Sequence, residues 1–351
     1  MLTQHELYMH RCIQLAKLGA GNVAPNPMVG AVLVHENIII GEGYHTQYGD
    51  AHAEVNCINS VKAENKHLIE RSTLYVSLEP CSHYGKTPPC SDLIIRQKIP
   101  KVFIGSKDPF KEVNGKGIQK LEAAGVEVVT GVLENECIRL NKRFFIFHKK
   151  HRPYIVLKWA QTVDNKIAGI ENKVLKISNK LTNRLVHKWR FEEASILVGT
   201  NTIIADDALL TNRLWTGKNP VRLVIDKDLK LPQTHKVFNN DAPTIIFNFQ
   251  KHTVDTETKF TNQAYYYKLE IGNNVNHQIC EACYKLNIQS ILVEGGAKLL
   301  QSFIDDRLYD EIITITNTEM QIGNGLHAPL FNGLIKAYSK SIKKDKIEFF
   351  L

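Results

Sequence analysis

The sequence predicts a two-domain α/β protein, and three observations support this fold class. Short apolar strands alternate with amphipathic helical segments along both halves of the chain, which is the pattern of a sheet covered by helices. The chain has 351 residues and is too long for one ordinary hydrophobic core. A basic run that ends in a proline, residues 148–153, separates the two alternating stretches. We therefore expect one domain over residues 1–147 and a second over residues 152–351.

The first half begins with a helix over residues 4–18, where apolar side chains recur at helical spacing. Runs of Val, Ile and Leu bounded by polar turns indicate the strands that follow, and Asp50 is available as a cap for the next helix. The remaining predicted elements are strands at 30–34 and 38–40, a helix at 52–61, a strand at 73–78, a helix at 91–97, a strand at 102–105, a helix at 117–124, a strand at 126–129 and a helix over 134–147.

The second half repeats the alternation of strands and helices. Its predicted elements are a strand at 154–159, a helix at 180–191, strands at 195–199, 221–226, 244–249 and 290–294, a helix through Ile304, and closing strands at 311–316 and 347–351. The half-charged stretch 251–276 is expected to be a loop or edge region.

Composition and charge exclude several classes of protein. The hydrophobic share of 43% and the charged share of 23% are ordinary for a globular protein, and we expect neither a secretory signal nor a membrane span. Seven cysteines without a regular framework indicate a reducing compartment, so we expect a cytoplasmic location. The pair Cys280 and Cys283 is more often incidental than redox-active. The formal charge of +8 is dispersed and suits small phosphorylated ligands, so we expect no nucleic-acid partner.

The densest concentration of reactive side chains lies in three short motifs. His52-Ala53-Glu54 is followed by Glu79-Pro80-Cys81 and then by Pro88-Pro89-Cys90. One imidazole and two thiols are the ligand set of a catalytic zinc site, which keeps a fourth position for water. The same H-x-E…P-C constellation is typical of zinc-dependent nucleobase deaminases. We therefore predict that His52, Cys81 and Cys90 bind Zn²⁺ and that Glu54 is the catalytic acid and base.

Two other interpretations of the same residues stay open. A structural zinc site closes its tetrahedron with a fourth Cys or His, and His83 is a candidate for that position. Alternatively, the three residues are unrelated members of a core. Neither interpretation accounts for the carboxylate after His52 or for the proline before Cys81, so the catalytic interpretation is favoured.

A second candidate site follows the strand at 290–294. Glu294-Gly295-Gly296-Ala297-Lys298 joins that strand to a helix, where glycines let the backbone approach a ligand and free amides can meet a phosphate. Residues 201–202 and 206–207 are expected in a loop after the strand at 195–199. They place further polar groups at the end of that strand. Together they indicate a phosphorylated cofactor at the carboxyl edge of a sheet. A Gly-Gly pair alone is weak evidence, because simple turns use it as often.

With both halves considered, the whole chain resembles the bifunctional deaminase–reductases of bacterial riboflavin biosynthesis. The matching N-terminal segments are 25–30, 41–45, 52–54 and 78–90, and the segments 108–109 and 114–117 also fit. The eight residues between Cys81 and Cys90 distinguish this family from cytidine and tRNA adenosine deaminases, which generally have two residues between the corresponding cysteines. The resemblance implies a cytidine-deaminase-like three-layer α/β/α domain in this half.

The C-terminal half resembles the reductase domain of that family, which has a dihydrofolate-reductase-like α/β fold and uses NADPH. The matching segments include 158–164, 196–199, 205–207, 210–213, 224–226 and 293–296. The resemblance implies that the ribose-phosphate substrate is contacted by Arg190, Leu210, Arg213 and Glu294. It implies that NADPH is contacted by Ala160, Thr202, Asp206, Gly296, Ala297 and Lys298. Simpler alternatives are a surface position for Arg190 and a core position for Leu210.

The chain departs from the family pattern just before the helix at 180–191. The family often has Ser-x-Trp-Ile-Thr or Ser-x-Trp-Ile-Ser there, whereas this chain has Val174-Leu175-Lys176-Ile177-Ser178. A substrate-contacting Ser and a cofactor-stacking Trp are therefore replaced. Two smaller departures are Asn165 in an expected Asp-Gly turn and Ala208 in place of a proline. We expect the reductase fold to be kept and its affinity for NADPH to be weaker.

The resemblance implies a two-step enzyme. The first step is hydrolytic deamination of a diaminopyrimidinone that carries a ribosylamino 5-phosphate, and the second is reduction of the ribosyl side chain to ribityl by NADPH. We also expect a homo-oligomer. One alternative is a zinc nucleoside or tRNA deaminase with an inactive or unrelated C-terminal domain, against which the Cys81–Cys90 spacing argues. Another is a zinc-stabilised binding protein without catalysis, which metal analysis combined with ammonia release would distinguish.

Overall fold

The computed structural model describes residues 2–84, 88–170 and 175–351. The chain divides into two compact units, Met1–Lys150 and His151–Leu351, and the division falls in the basic segment before Pro153. Across the described ranges, no helix combines the length and the apolar character that a bilayer crossing requires.

The first unit is built on a five-stranded sheet. Its strands are β1 (Gly30–His35), β2 (Ile38–Tyr44), β3 (Thr73–Leu78), β4 (Lys101–Ser106) and β5 (Glu127–Thr130). Its α-helices are α1 (Gln4–Ala16), α2 (Ala53–Asn59), α3 (Cys90–Arg96), α4 (Lys116–Ala123), α5 (Glu134–Leu140) and α6 (Lys142–Lys150), with 3₁₀ helices at Lys17–Gly19 and Ala63–Arg71. The strand order is β2-β1-β3-β4-β5. β1 is antiparallel to both of its neighbours, whereas β3, β4 and β5 are parallel.

Alternating side chains of the central strands form two apolar layers in this unit. Leu74 and Val76 of β3 belong to a core cluster with residues of α2, α3 and α4. Tyr75, which lies between them, belongs to a cluster with residues of α1 and α5. Successive residues of a strand point to opposite faces, so helices cover both faces of the sheet. This arrangement confirms the predicted three-layer α/β/α fold.

The helix predicted over residues 134–147 is wrong in one respect, because the structure has two helices there. Asn141 lies between α5 and α6 and is buried. Its side-chain amide donates to the carbonyl oxygen of Met28, and its Oδ1 accepts the Met28 N–H, both at 2.8 Å. A tertiary contact with a residue far away in the sequence thus overrides a locally continuous helical pattern.

The second unit is built on a nine-stranded sheet. Its strands are β6 (Tyr154–Thr162), β8 (Ser195–Gly199), β9 (Val221–Ile225), β10 (Thr244–Asn248), β11 (Ala264–Lys268), β12 (Ser290–Val293), β13 (Glu311–Asn317), β15 (Lys336–Ile342) and β16 (Asp345–Phe350). A separate ribbon pairs β7 (Lys166–Ala168) with β14 (Leu326–His327). The α-helices are α7 (Lys180–Glu192), α8 (Thr200–Asp206), α9 (Val275–Lys285) and α10 (Ala297–Asp305), and a 3₁₀ helix spans Lys236–Phe238.

The topology of this sheet brings the ends of several strands together. The order is β11-β10-β9-β8-β12-β6-β13-β16-β15, and every pair from β11 to β13 is parallel. β16 is antiparallel to both of its neighbours. Parallel strands end at the same edge, and ligands of open α/β sheets bind there. The carboxyl ends of β6, β8, β9 and β12 therefore define the edge at which a site is expected.

In this unit, the structure differs from the sequence-based prediction for residues 201–207 and agrees with it for the stretch 251–276. The sequence predicts a loop for residues 201–202 and 206–207, and this prediction is wrong, because Thr200–Asp206 is the helix α8 and Asp207 is its C-cap. The charged stretch 251–276 contains the strand β11, which lies at the edge of the sheet as expected. Cys280 and Cys283 lie on α9 in the core, where burial raises the pKa of the Cys280 thiol to about 12. These thiols are therefore core side chains rather than reactive ones.

Candidate functional site

The first candidate site lies where three segments of the first unit meet. Cys81 follows the end of β3, Cys90 is the first residue of α3, and His52 is the N-cap of α2. The sequence folds this way because the apolar strand ends at Leu78 and the Pro88-Pro89 pair precedes the start of α3. Two helices thus begin beside the thiols, and helix N-termini favour thiolate over thiol.

The distances among the donor atoms fit a zinc ion. Nδ1 of His52 lies 3.6 Å from Sγ of Cys81 and 3.4 Å from Sγ of Cys90. The ligand atoms of the three residues all lie within 4.8 Å of one another. With Zn–S near ~2.3 Å and Zn–N near ~2.0 Å, a tetrahedral ion sets its nitrogen–sulfur edges at about 3.6 Å. Among the described residues, His83 does not belong to this group, so it does not close the tetrahedron.

The electrostatics of the site favour a thiolate beside a protonatable carboxyl group. The Cys90 thiol and the His52 ring lower the pKa of Cys81, and the backbone N–H of Cys90 donates to Sγ of Cys81 at 3.3 Å. Glu54 lies in the first turn of α2 and is only 3% exposed. Burial raises the pKa of Glu54. The site therefore combines a metal-binding group with a carboxyl group that holds a proton readily.

Sequence reasoning missed the role of Glu79, which anchors a loop to the segment that carries Cys81. The buried Glu79 carboxylate accepts four backbone N–H groups at 3.0–3.4 Å, those of Asp108, Gly115, Gly117 and Ile118. A Cβ atom at Gly117 would lie 2.0 Å from the carbonyl oxygen of Pro80, so only glycine fits there. The only sequence signal was the position of Glu79 directly before the Pro-Cys pair.

The second candidate site is a cavity of about 1570 Å³ in the second unit. It lies at the carboxyl ends of β6, β8, β9 and β12, the edge that the topology indicates. A pocket for one drug-sized ligand has a volume of roughly 300–1,000 Å³, so this cavity has room for a cofactor and a substrate together. The predicted site residues on its wall are Ala160, Arg190, Thr202, Asp206, Arg213, Glu294, Gly296, Ala297 and Lys298.

Leu210 is placed differently from the other predicted contacts. Its side chain is 3% exposed and packs in a core cluster with Ile196, Val198 and Ile203. Its backbone has a φ of +54°, a region that leucine rarely adopts. The packing of Leu210 in the core thus fixes the turn that leads to Arg213, and Arg213 lies on the cavity wall.

One carboxylate and two cations form a buried cluster on the wall of this cavity. The Arg190 guanidinium donates to both carboxylate oxygens of Glu294, at 2.9 and 2.6 Å, and Nζ of Lys158 lies 3.3 Å from Oε2 of Glu294. Burial raises the pKa of Glu294, but Arg190 and Lys158 outweigh it and lower that pKa to about 2. Glu294 is therefore an anion held between two cations. With Arg213 on the same wall, the wall keeps a net positive charge that suits a phosphorylated ligand.

Lys158 and His187 are charged or titratable residues of this wall that the sequence analysis does not name as site residues. Lys158 interrupts the apolar strand β6, and a single lysine in a buried strand was an available signal. His187 lies on α7 three residues before Arg190, and this helical spacing was the corresponding signal.

The segment that follows Glu294 on this wall suits the phosphates of a nucleotide cofactor. A Cβ atom at Gly295 would lie 2.9 Å from the side chain of Thr202, and Gly296 has a φ of +77°. Glycines are therefore required where β12 turns into α10 against α8. This close packing leaves the backbone amides at the start of α10 on the cavity wall, together with Lys298.

The segment that departs from the family pattern also reaches this cavity. Val174 lies outside the described residues, whereas Leu175, Lys176, Ile177 and Ser178 line the wall. The position at which the family often has a cofactor-stacking Trp is therefore a cavity position occupied by Lys176.

Comparisons with known proteins give a family match for each of the two units. Residues 2–106 match the family of the cytidine and deoxycytidylate deaminase zinc-binding region, and residues 153–335 match the RibD C-terminal domain. The riboflavin biosynthesis protein RibD of Aquifex aeolicus is 38% identical over 343 residues, which cover 97% of this chain and 94% of the relative. That of Escherichia coli is 33% identical over 88% of this chain and 86% of the relative.

Solved structures give the same result for the whole chain. A diaminohydroxyphosphoribosylaminopyrimidine deaminase/5-amino-6-(5-phosphoribosylamino)uracil reductase from Thermotoga maritima is 34% identical, with a TM-score of 0.88. The alignment covers 99% of this chain and 98% of that one. The likeness extends over both units, which confirms the predicted dihydrofolate-reductase-like second domain beside the deaminase. The chain therefore belongs to the RibD family of riboflavin biosynthesis and is a bifunctional enzyme that combines a zinc-dependent deaminase and an NADPH-dependent reductase acting on a small phosphorylated pyrimidine.

Proposed function

We propose that His52, Cys81 and Cys90 hold the zinc ion of the deaminase and that Glu54 is its catalytic residue. The observation that carries this proposal is the spacing of the three donor atoms, with His52 Nδ1 at 3.6 and 3.4 Å from the two sulfurs. Zinc, when bound, acidifies a water molecule at neutral pH. Glu54 accepts the proton of the attacking water and returns it to the amine that leaves the pyrimidine ring. Burial raises the pKa of Glu54, and the raised pKa suits this carboxyl group to accept and return a proton.

In the second unit, we propose that the cluster around Glu294 binds the substrate. Glu294 and Arg190 face the sugar of the ribose-phosphate, Arg213 faces its phosphate, and Leu210 holds the turn that presents Arg213. NADPH, when bound, supplies a hydride to the first carbon of the sugar. Its contacts are Ala160, Thr202, Asp206, Gly296, Ala297 and Lys298. The glycine-dependent packing of the α10 start against Thr202 supports the cofactor side of this arrangement.

We assign deamination to residues 1–147 and reduction to residues 152–351. A cytoplasmic location is proposed because all seven cysteines are free, as expected in a reducing compartment. A homo-oligomer stays a prediction, which light scattering of the purified chain would test, and the absence of nucleic-acid and membrane partners also stays a prediction.

The experiment that tests the proposed function is product analysis with the diaminopyrimidine ribosylamino phosphate. Without NADPH, we expect release of ammonia and accumulation of the deaminated pyrimidine. With NADPH, the mass spectrum is expected to show the additional gain of two hydrogens in the sugar. Zinc binding without ammonia release would instead support a structural metal site. Deamination without any NADPH-dependent product would restrict the activity to the first unit.

A further inference from the structure

His187 lies on the substrate side of the reductase cavity and has no role in the function described above. It is on α7, three residues before Arg190, so the two side chains share one face of the helix. The residue is 6% exposed and lines the cavity together with Arg190, Arg213 and Glu294. A buried imidazole among cations needs a specific reason to be there.

The contact that His187 makes is to the backbone of Arg213. Nδ1 of His187 accepts a hydrogen bond from the Arg213 N–H at 2.9 Å. A second contact from α7 supports the same turn, because Nη1 of Arg190 donates to the carbonyl oxygen of Thr211 at 3.2 Å. The turn starts at Leu210, whose positive φ is strained for leucine. α7 therefore holds this strained turn through His187 and Arg190.

The hydrogen bond defines the protonation state of the ring. The backbone N–H is the donor, so Nδ1 has no proton and the neutral ring carries its proton on Nε2. Burial, together with the charges of Arg190 and Arg213, lowers the pKa of His187 to about 4. Near neutral pH the ring is thus an acceptor and adds no charge to the wall.

The side chain of Arg213 is free to meet a ligand once its backbone is fixed. The residue is exposed, and its Nη1 donates to the Thr211 hydroxyl oxygen at 3.0 Å. In contrast to Arg190, it makes no ion pair with a carboxylate among the described residues. Its guanidinium is thus an uncompensated cation whose position depends on the turn from Leu210 to Arg213.

We propose that His187 is a positioning residue that fixes the backbone of Arg213 so that the guanidinium meets the 5-phosphate of the substrate. This inference rests on the proposed contact between Arg213 and that phosphate. It makes His187 responsible for the preference of the reductase for a phosphorylated sugar. The preference arises in binding, so the KM of the phosphorylated substrate should change while kcat does not.

The test uses three variants of His187 in the full chain. Asn places its amide oxygen where Nδ1 stands and can accept the Arg213 N–H, whereas Phe keeps the ring shape without an acceptor. Gln carries its amide farther out and is a second, polar variant without an acceptor at that position. The measured quantity is kcat/KM of NADPH-dependent reduction for the deaminated intermediate, with and without its 5-phosphate.

The expected result is a loss of phosphate preference that depends on the acceptor. In His187→Phe and His187→Gln, the ratio of kcat/KM for the phosphorylated and unphosphorylated substrates falls about tenfold, the effect of losing one ordinary hydrogen bond. In His187→Asn the ratio stays close to that of the wild type. The NADPH dissociation constant is unchanged in all three variants. A merely structural role would lower both kcat/KM values together and leave their ratio intact, which would overturn the inference.

Arg213→Gln separates a failure of this inference from a failure of the proposed function. If Arg213→Gln loses the phosphate preference and His187→Phe and His187→Gln keep it, Arg213 binds the phosphate but His187 does not position it. If Arg213→Gln also keeps the preference, the proposed phosphate contact itself is wrong. Should His187→Phe fail to fold, the pair of Asn and Gln variants still decides between these outcomes.

Discussion

Glu54 and Glu294 are both buried carboxyl groups, and their surroundings shift their pKa values in opposite directions. Burial raises the pKa of Glu54. Burial acts in the same sense on Glu294, but Arg190 and Lys158 outweigh it and lower the pKa to about 2. Glu54 is therefore able to hold a proton, as a catalytic acid and base requires, whereas Glu294 stays an anion that organises two cations.

At the residue scale, the first prediction concerns Glu54→Gln. The variant should keep stoichiometric zinc and the fold, because Glu54 is not one of the three grouped ligands. Ammonia release should fall by at least ~10²–10⁴-fold, the usual contribution of general acid–base catalysis. Metal analysis and an ammonia assay on the same preparation check both halves of this prediction. The exposed Glu36→Gln variant is the control, and near-normal ammonia release from the zinc-bound Glu54 variant would refute the assignment.

At the element scale, the loop from Asp108 to α4 depends on one anion. The four N–H groups that donate to Glu79 come from this loop and the start of α4, whereas Glu79 itself follows β3. The carboxylate thus ties the start of α4 to the strand end that delivers Cys81. Gly117 allows the close approach to Pro80 that this connection needs.

We expect Glu79→Gln to destabilise the first unit by about 2–3 kcal/mol, because the new amide group points a donor at N–H groups that have lost their acceptor. The free energy of unfolding can be followed by urea titration with zinc release as the reporter. Glu122→Gln on the exposed side of α4 is the matched control and should change that free energy by less than about 0.5 kcal/mol. Equal stability of the two variants would contradict this account of the loop.

The same scale shows which elements the sequence predicts and which it does not. The strands β3 and β12 are predicted because their apolar runs are buried on both faces. β15 has no such pattern, since nearly all of its residues are exposed and it is defined by pairing with β16. The break at Asn141 depends on Met28, a contact that no local pattern contains.

The residues of the candidate sites also divide into those that a local sequence pattern predicts and those that depend on distant contacts. His52, Cys81 and Cys90 could be found because the chemistry of metal binding restricts both their types and their local spacing. Glu79, Lys158 and His187 act through contacts with residues distant in the sequence, respectively the 108–118 loop, Glu294 and Arg213. Such contacts form only in the folded chain, so the local sequence around these residues indicates them weakly.

For the whole molecule, the described part of each unit has a hydrophobic core and a candidate site of its own. The described core clusters of the first unit contain residues before Lys150, and those of the second contain residues after it. The three proposed metal ligands belong to the first unit, and the described lining of the large cavity runs from Lys158 to Leu326 in the second. The two reactions should therefore respond independently to changes that act on one site.

Zinc removal tests this independence directly. Dialysis against a chelator should abolish ammonia release, because the deaminase loses the ion that we propose His52, Cys81 and Cys90 hold. Reduction of separately supplied deaminated intermediate by NADPH should continue at the rate of the untreated enzyme, since the described lining of the cavity includes none of these ligands. Returning Zn²⁺ should restore ammonia release, which controls for unfolding. If the chelator stops reduction as well and zinc restores both activities, the reductase depends on the metal and the two sites are not independent.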